Sequence, residues 1–118
     1  MDRIDLAEKF SLFTDQWQPR IVAELNGQHV KIARIEGEFV WHDHPEADEM
    51  FFVVKGAFRM EMRDRTVNLS QGDMMVVPRG VEHRPVADEE CWIMMLEPKG
   101  TVNTGDTGGD RTVDPAWI

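Results

Sequence analysis

Apolar residues near the start of the chain recur with the period of a helix. Four of them fall on one helix face, at steps of four, three and four residues: Leu6, Phe10, Phe13 and Trp17. Asp5, with Glu8 three residues later, is typical of a helix N-terminus. The pattern therefore predicts an amphipathic helix over about 5–17 that packs its aromatic stripe against the core.

The pattern changes from His29 onward to short apolar segments separated by turn residues. The segments are rich in Val, Ile, Phe, Met and Trp, and the separating stretches read EGE, VKGA, RDR, SQGD, PRGVEH and ADEE. This alternation is typical of an all-β barrel or sandwich, and roughly eight strands fit over about 29–98. The remaining residues, 99–118, are rich in Gly, Thr and Asp, so we expect an irregular arm over the barrel, with Trp117 fixing its end.

Composition limits the function classes. A chain of 118 residues predicts a single domain, 1–118, with one core, and the apolar runs are too short to span a bilayer. The formal net charge of -9 disfavours nucleic acid and anionic lipid as partners. The opening MDRIDLAEKF lacks the pattern of a secretory signal, and a lone Cys91 cannot form an intrachain disulfide, so we expect a cytoplasmic protein.

The stretch WHDHPEADEM contains three candidate metal ligands. Residues two apart on a strand share a face, so His42 and His44 point the same way. Glu49 begins the next strand and faces both imidazoles if that strand returns beside the first. His83, after the turn at Gly80, supplies a third imidazole. Three imidazoles and one carboxylate suit a divalent ion such as Mn, Fe, Co, Ni or Zn.

These candidates have a fixed spacing relative to nearby glycines and a proline. The chain reads Gly37, four residues, His42-x-His44, four residues, Glu49, six residues, Gly56, then fifteen residues, Gly72, five residues, Pro78-x-Gly80, two residues and His83. Over about 32–98 this pattern resembles the two motifs of the cupin superfamily, most closely the small single-domain cupins of the conserved-barrel type. Two positions depart from the usual motifs without removing a ligand: Gly37 stands one residue closer to His42, and Ala87 replaces a frequent asparagine.

The resemblance implies an all-β, antiparallel jelly-roll β-barrel with a metal bound by His42, His44, Glu49 and His83. One divalent ion (Fe, Mn, Ni, Co or Zn) would keep about two coordination positions open for a small-molecule ligand in the barrel. The favoured hypothesis is a metal-dependent oxygenase or isomerase acting on a small organic substrate. The alternatives are a non-catalytic metal- or small-molecule-binding or sensor barrel, and a zinc staple that only stabilises the fold.

Two further expectations concern polar and apolar side chains near the first motif. If the EGE hairpin pairs Ala33 with His42, Lys31 faces the cavity, where its ammonium could hold an anionic substrate; the alternative is a solvated surface charge. Strand alternation points four apolar side chains out of the barrel: Phe39, Trp41, Phe52 and Val54. Such a patch usually marks an interface, so we expect a homodimer; the alternative is that the amphipathic helix or the C-terminal arm covers the patch within the chain.

Overall fold

Buried and exposed side chains alternate along most strands, as expected where one face of a sheet covers a core. The strand that begins at Glu49 alternates buried and half-buried positions over six residues. The computed structural model describes all 118 residues, with one helix and eight strands. The elements are α1 Leu6–Phe10, β1 Arg20–Leu25, β2 Gln28–Glu38, β3 Glu49–Lys55, β4 Ala57–Met62, β5 Thr66–Ser70, β6 Met74–Val77, β7 His83–Pro98 and β8 Ala116–Trp117.

Strand β7 organises the sheet. It pairs with β2 along one edge, and along the other edge with β4 near its start and β3 near its end. The strand order is β5-β4-β7-β2-β1-β8, with β6 paired to β3, and every pair is antiparallel except β1 with β8. The predicted all-β antiparallel jelly-roll is confirmed; its sheet curls around the core without closing into one continuous ladder.

The main core lies inside the jelly-roll and contains 15 buried residues. Phe39 belongs to it, because it is buried and stacks on Trp17 with ring centroids 4.8 Å apart. The predicted outward orientation of Phe39 is therefore wrong. The reason is that β2 ends at Glu38, so strand alternation cannot be extended from His42 back to Phe39.

The helix is shorter than the predicted 5–17, because it ends at Phe10. Its N-terminus is as expected, with the Asp5 carboxylate accepting a hydrogen bond from the Glu8 backbone N–H at 3.2 Å. Phe10 and Phe13 pack on the outer face of the sheet, whereas Trp17 enters the main core and donates its backbone N–H to the Arg34 carbonyl. A single straight helix lies on one side of a sheet, so it could not bury Phe10 and Trp17 on opposite sides. No helix is long and apolar enough to cross a membrane.

Six strands, rather than roughly eight, lie between 28 and 98. The segment ADEE does not form a turn, because β7 continues through it and the register against β2 shifts there, between Ile35 and Gly37. Long strands that absorb extra residues in a bulge can bend and take part in both faces of a curled sheet. The other two strands, β1 and β8, lie outside the predicted barrel range.

The C-terminal arm, 99–118, lies over its own barrel. Thr104 is fully buried, and the Thr107 hydroxyl donates to the Trp41 carbonyl at 3.1 Å. Strand β8 pairs in parallel with β1, and the Ile118 N–H donates to the Ile21 carbonyl at 3.1 Å, which fixes the end of the arm. Gly105 passes so close to the Asp43 carbonyl that a Cβ atom would collide with it. The arm therefore holds the loop that carries the first motif.

Replacing Gly105 by alanine should loosen the contact between the C-terminal arm and the loop that carries the first motif. Both Gly105 and Gly108 have positive φ values, of 58° and 68°, but a Cβ atom at Gly108 meets open space. We expect Gly108→Ala to cost about 1 kcal/mol of unfolding free energy from backbone strain, and Gly105→Ala to cost about 1–3 kcal/mol more from the collision. Urea unfolding and limited proteolysis of the arm measure both effects; equal losses in the two variants would contradict the contact.

Candidate metal centre

The four residues predicted to hold a metal lie together at one end of the sheet. One ligand atom from each of His42, His44, Glu49 and His83 lies within 4.8 Å of the others. All four side chains are buried, with exposed fractions of 6% or less. Burial on this scale is uncommon for three histidines and a glutamate, so the cluster calls for a physical explanation.

Backbone hydrogen bonds bring the two motif segments together. The His42 N–H donates to the His83 carbonyl at 3.1 Å, and the His83 N–H donates to the His42 carbonyl at 2.9 Å. The Gly80 N–H adds a bond to the His44 carbonyl at 3.0 Å. Glu49 joins the group as the first residue of β3.

The predicted pairing of Ala33 with His42 is wrong. Ala33 pairs with Ile93 in β7, and His42 forms only an isolated bridge with His83. The residues 42–44 therefore do not form a regular strand. His42 and His44 still point inward together, because the loop is held from both sides by backbone bonds.

Two of the imidazoles are oriented by the carbonyl two residues before them. His42 Nδ1 lies 2.9 Å from the Val40 carbonyl oxygen, and His83 Nδ1 lies 2.8 Å from the Val81 carbonyl oxygen. A carbonyl oxygen only accepts, so each Nδ1 carries the proton and each Nε2 presents its lone pair. The same arrangement fixes metal-binding histidines, where the outer N–H is anchored to the backbone.

The inner atoms of the cluster lack hydrogen-bond partners. His44 Nε2, His83 Nε2 and Glu49 Oε1 are all buried and unpaired, and the two nitrogens lie 3.4 and 3.5 Å from Glu49 Oε1. Two donor atoms each about 2.1 Å from one ion are roughly 3.0–3.4 Å apart at octahedral or tetrahedral angles. Leaving each buried polar atom unpaired costs about 1–3 kcal/mol. The cluster thus fits a divalent cation of the type that imidazole and carboxylate bind.

Protonation states in the cluster also suit a cation. Burial and, as the next largest cause, the neighbouring His83 lower the pKa of His42 from 6.5 to about 4. Burial alone would raise the pKa of Glu49, but the neighbouring Glu97, His44 and His83 side chains outweigh it and hold the pKa below its ordinary value. A neutral imidazole and an ionised carboxylate are the forms that bind metal.

A second buried carboxylate, Glu97, was not among the predicted site residues. Its Oε1 atom lies 2.8 Å from the Lys31 ammonium, which also donates to the Thr101 carbonyl at 3.2 Å, and both side chains of the ion pair are 2% exposed. Lys31 is therefore neither a solvated charge nor a free cation. Burial, together with Glu49, raises the pKa of Glu97 well above its ordinary value, against the opposing effect of Lys31. The alternation of buried Ile93, Met95 and Glu97 along β7 was the available sequence signal.

A small cavity adjoins the cluster. Its volume is about 40 Å³, which is room for about three water molecules, and its polar lining includes His42, Glu49 and Glu97. Trp17 and other apolar side chains form most of the remaining wall. Trp17 has a positive φ of 62° and donates its indole N–H to the Glu36 carbonyl at 2.8 Å, so this side of the wall is firmly held. The cavity is partly open, mostly apolar and in contact with two candidate ligands.

Comparison with known proteins places the fold and the motifs in one family. Residues 28–97 match the family model described as a cupin domain. The chain belongs to the cupin family. This match covers both motif segments, from before Gly37 to beyond His83.

Two solved structures and one further protein sequence are similar to this cupin. A cupin-2 domain containing protein from Shewanella frigidimarina NCIMB 400 is 48% identical, with a TM-score of 0.80 over 81% of this chain and 94% of that one. Protein NMB1881 from Neisseria meningitidis is 27% identical, with a TM-score of 0.76 over 83% of this chain and 100% of that one. The uncharacterized protein YdbB from Bacillus subtilis (strain 168) is 36% identical over 64 residues, which are 53% of this chain and 57% of YdbB.

The buried His42 predicts an acid-sensitive fold in the metal-free protein. The unfolded chain takes up a proton at this residue near pH 6.5, but the folded chain does so only near pH 4. Neutral His42 therefore contributes up to about 3 kcal/mol to the free energy of unfolding above pH 6.5, and this contribution is lost as the pH falls toward 4. His42→Gln, which cannot titrate, should flatten this part of the profile. Urea unfolding of chelator-treated protein between pH 7.5 and 4 measures it, and parallel curves for wild type and variant would contradict it.

Proposed function

We propose that this cupin binds one divalent transition metal ion and uses it as an oxygenase or isomerase on a small organic substrate. The observation that carries the proposal is the set of buried, unpaired ligand atoms beside a mostly apolar cavity. A cation is the partner that three inward imidazoles and a carboxylate share most readily.

Each residue of the centre has a defined part. His42, His44 and His83 would bind the ion through Nε2, and Glu49 through its carboxylate. The Val40 and Val81 carbonyls keep two of the imidazoles in the correct tautomer. The bound ion would supply Lewis acidity and open coordination positions for a substrate oxygen.

The cavity favours a ligand-binding role over a purely structural staple. A structural metal site has all coordination positions filled by protein, whereas His42 and Glu49 line a space that can receive a further ligand. Seven of the 13 residues that line the cavity are hydrophobic, and a less polar surrounding strengthens the interaction of a bound substrate with charged groups. Fe, Mn, Ni, Co and Zn all suit this donor set.

Metal content tests the proposal directly. We expect about one equivalent of metal in the wild type after chelation and reloading, and a loss of most of it in His44→Ala, because one of the four ligands is removed. His29→Ala is the matched control, since His29 is the one histidine outside the cluster and contacts Glu24 and Trp117 instead. Elemental analysis by plasma mass spectrometry gives the stoichiometry. Equal metal content in the two variants, or none in the wild type, would contradict the centre.

We also propose that the protein forms a homodimer through an outer face of the sheet. Cross-strand pairing places six apolar side chains together on β3, β6 and β7: Met50, Phe52, Met74, Val76, Met94 and Leu96. Met74 and Val76 are 58% and 52% exposed. Of the predicted patch of Phe39, Trp41, Phe52 and Val54, only Phe52 belongs to this face. Phe39 is buried, and Trp41 is half-buried against Arg63, whose guanidinium lies 3.8 Å from the ring centroid. Val54 packs against the cluster that contains Phe10 and Phe13. Contiguous apolar surface of this kind favours association.

Sedimentation equilibrium tests the dimer with a matched pair of variants. Val76→Glu places a charge within the proposed face and should shift the protein toward the monomer mass. Val102→Glu is the control, because Val102 is 45% exposed but lies on the C-terminal arm. A wild-type monomer at all concentrations, or no difference between the two variants, would contradict this interface.

A further inference from the structure

The cavity contains a polar group that the metal centre does not use. Glu97 lines the cavity beside Glu49 and His42, is 2% exposed, and has one oxygen, Oε2, without a hydrogen-bond partner. A site with a buried, unpaired acceptor strongly favours a ligand that can pair with it over an analogue that cannot.

Lys31 fixes the position of this group. Its ammonium holds Oε1 of Glu97 at 2.8 Å and is anchored by the Thr101 carbonyl at 3.2 Å. The pair leaves no free positive charge in this part of the wall to attract an anionic group, so the selective contact comes from Glu97. Because Lys31 occupies Oε1, Oε2 is the oxygen left for a ligand.

We propose that Glu97 is a specificity-determining residue that hydrogen-bonds the hydroxyl of a small 2-hydroxy carbonyl compound, while the carbonyl or carboxylate oxygen of that compound occupies the metal centre. The proposal rests on the proposed metal-binding function. Glu97 and Glu49 line the same cavity, so a ligand bound to the ion would lie next to Glu97. The substrate class is thus a 2-hydroxy acid or 2-hydroxy ketone.

The chemistry of a hydroxyl group makes this contact robust. A hydroxyl both donates and accepts a hydrogen bond, so it pairs with Glu97 whether that side chain is ionised or protonated. The apolar wall at Phe39 and Phe51 suits the carbon skeleton. The cavity volume of about 40 Å³ restricts the enclosed part of the ligand to a few heavy atoms.

Glycolate and acetate form a probe pair of suitable size, since they differ by one hydroxyl next to the carboxylate. Their affinities would be measured by titration calorimetry on cobalt(II)-loaded protein, with the cobalt absorption spectrum as a second readout of binding at the ion. Glycolate can also chelate the metal through its hydroxyl, so the informative quantity is the change in the glycolate-to-acetate affinity ratio between variants. No turnover is needed for this readout.

Two double variants isolate the hydrogen bond. Lys31→Met/Glu97→Leu removes the ion pair and the hydrogen-bonding group, whereas Lys31→Met/Glu97→Gln removes the ion pair but keeps an amide that donates and accepts. Replacing both partners avoids a lone buried charge, and apolar replacement of a buried ion pair is often neutral or stabilising. Urea unfolding and cobalt stoichiometry confirm that both variants are folded and loaded.

We expect the leucine variant to lower the glycolate-to-acetate affinity ratio about tenfold, and the glutamine variant to keep it within about threefold of the wild-type value. An unchanged ratio in the leucine variant, or an equal loss in both variants, would overturn the role of Glu97 while leaving the metal centre intact. Failure of the wild type to bind cobalt would instead overturn the proposed function, and this inference with it.

Discussion

The reciprocal backbone hydrogen bonds between His42 and His83 are the constraint on which the site depends. They join two segments that are 41 residues apart in the sequence and hold three imidazoles at one point. The carbonyls of Val40 and Val81 then set the tautomer of two rings, so that their Nε2 atoms converge toward Glu49. Because these contacts involve the backbone, the positions of the histidines are largely independent of which ion they bind.

Two buried carboxylates lie near the centre, and each has its own partner. The inner carboxylate, Glu49, faces the imidazoles, and the outer carboxylate, Glu97, is balanced by the Lys31 ammonium. A buried ion pair contributes little net stability, because desolvation offsets most of the attraction. The Lys31–Glu97 pair is therefore a weak source of net stability, but it fixes the position of Glu97, which lines the cavity.

The sequence was most informative where the spacing of chemically unusual residues is strict. His42, His44, Glu49 and His83 could be grouped because few other arrangements explain that spacing, although the local hairpin assumed for His42 was wrong. Helix periodicity continued past Phe10 because Phe13 and Trp17 are also buried, but they are buried on opposite sides of the sheet. Helical periodicity in a sequence indicates which residues are buried, but it does not indicate on which side of the sheet they are buried. Glu97 was missed because its role depends on a tertiary contact with Lys31, 66 residues away.

X-ray absorption at the cobalt edge of the cobalt(II)-loaded protein tests the central claim most directly, because it reports the atoms around the ion. The account predicts multiple-scattering features of about three imidazoles together with oxygen from a carboxylate and from solvent or ligand. A spectrum with oxygen neighbours alone would contradict it, since the ion would then be held by surface carboxylates and not by His42, His44 and His83.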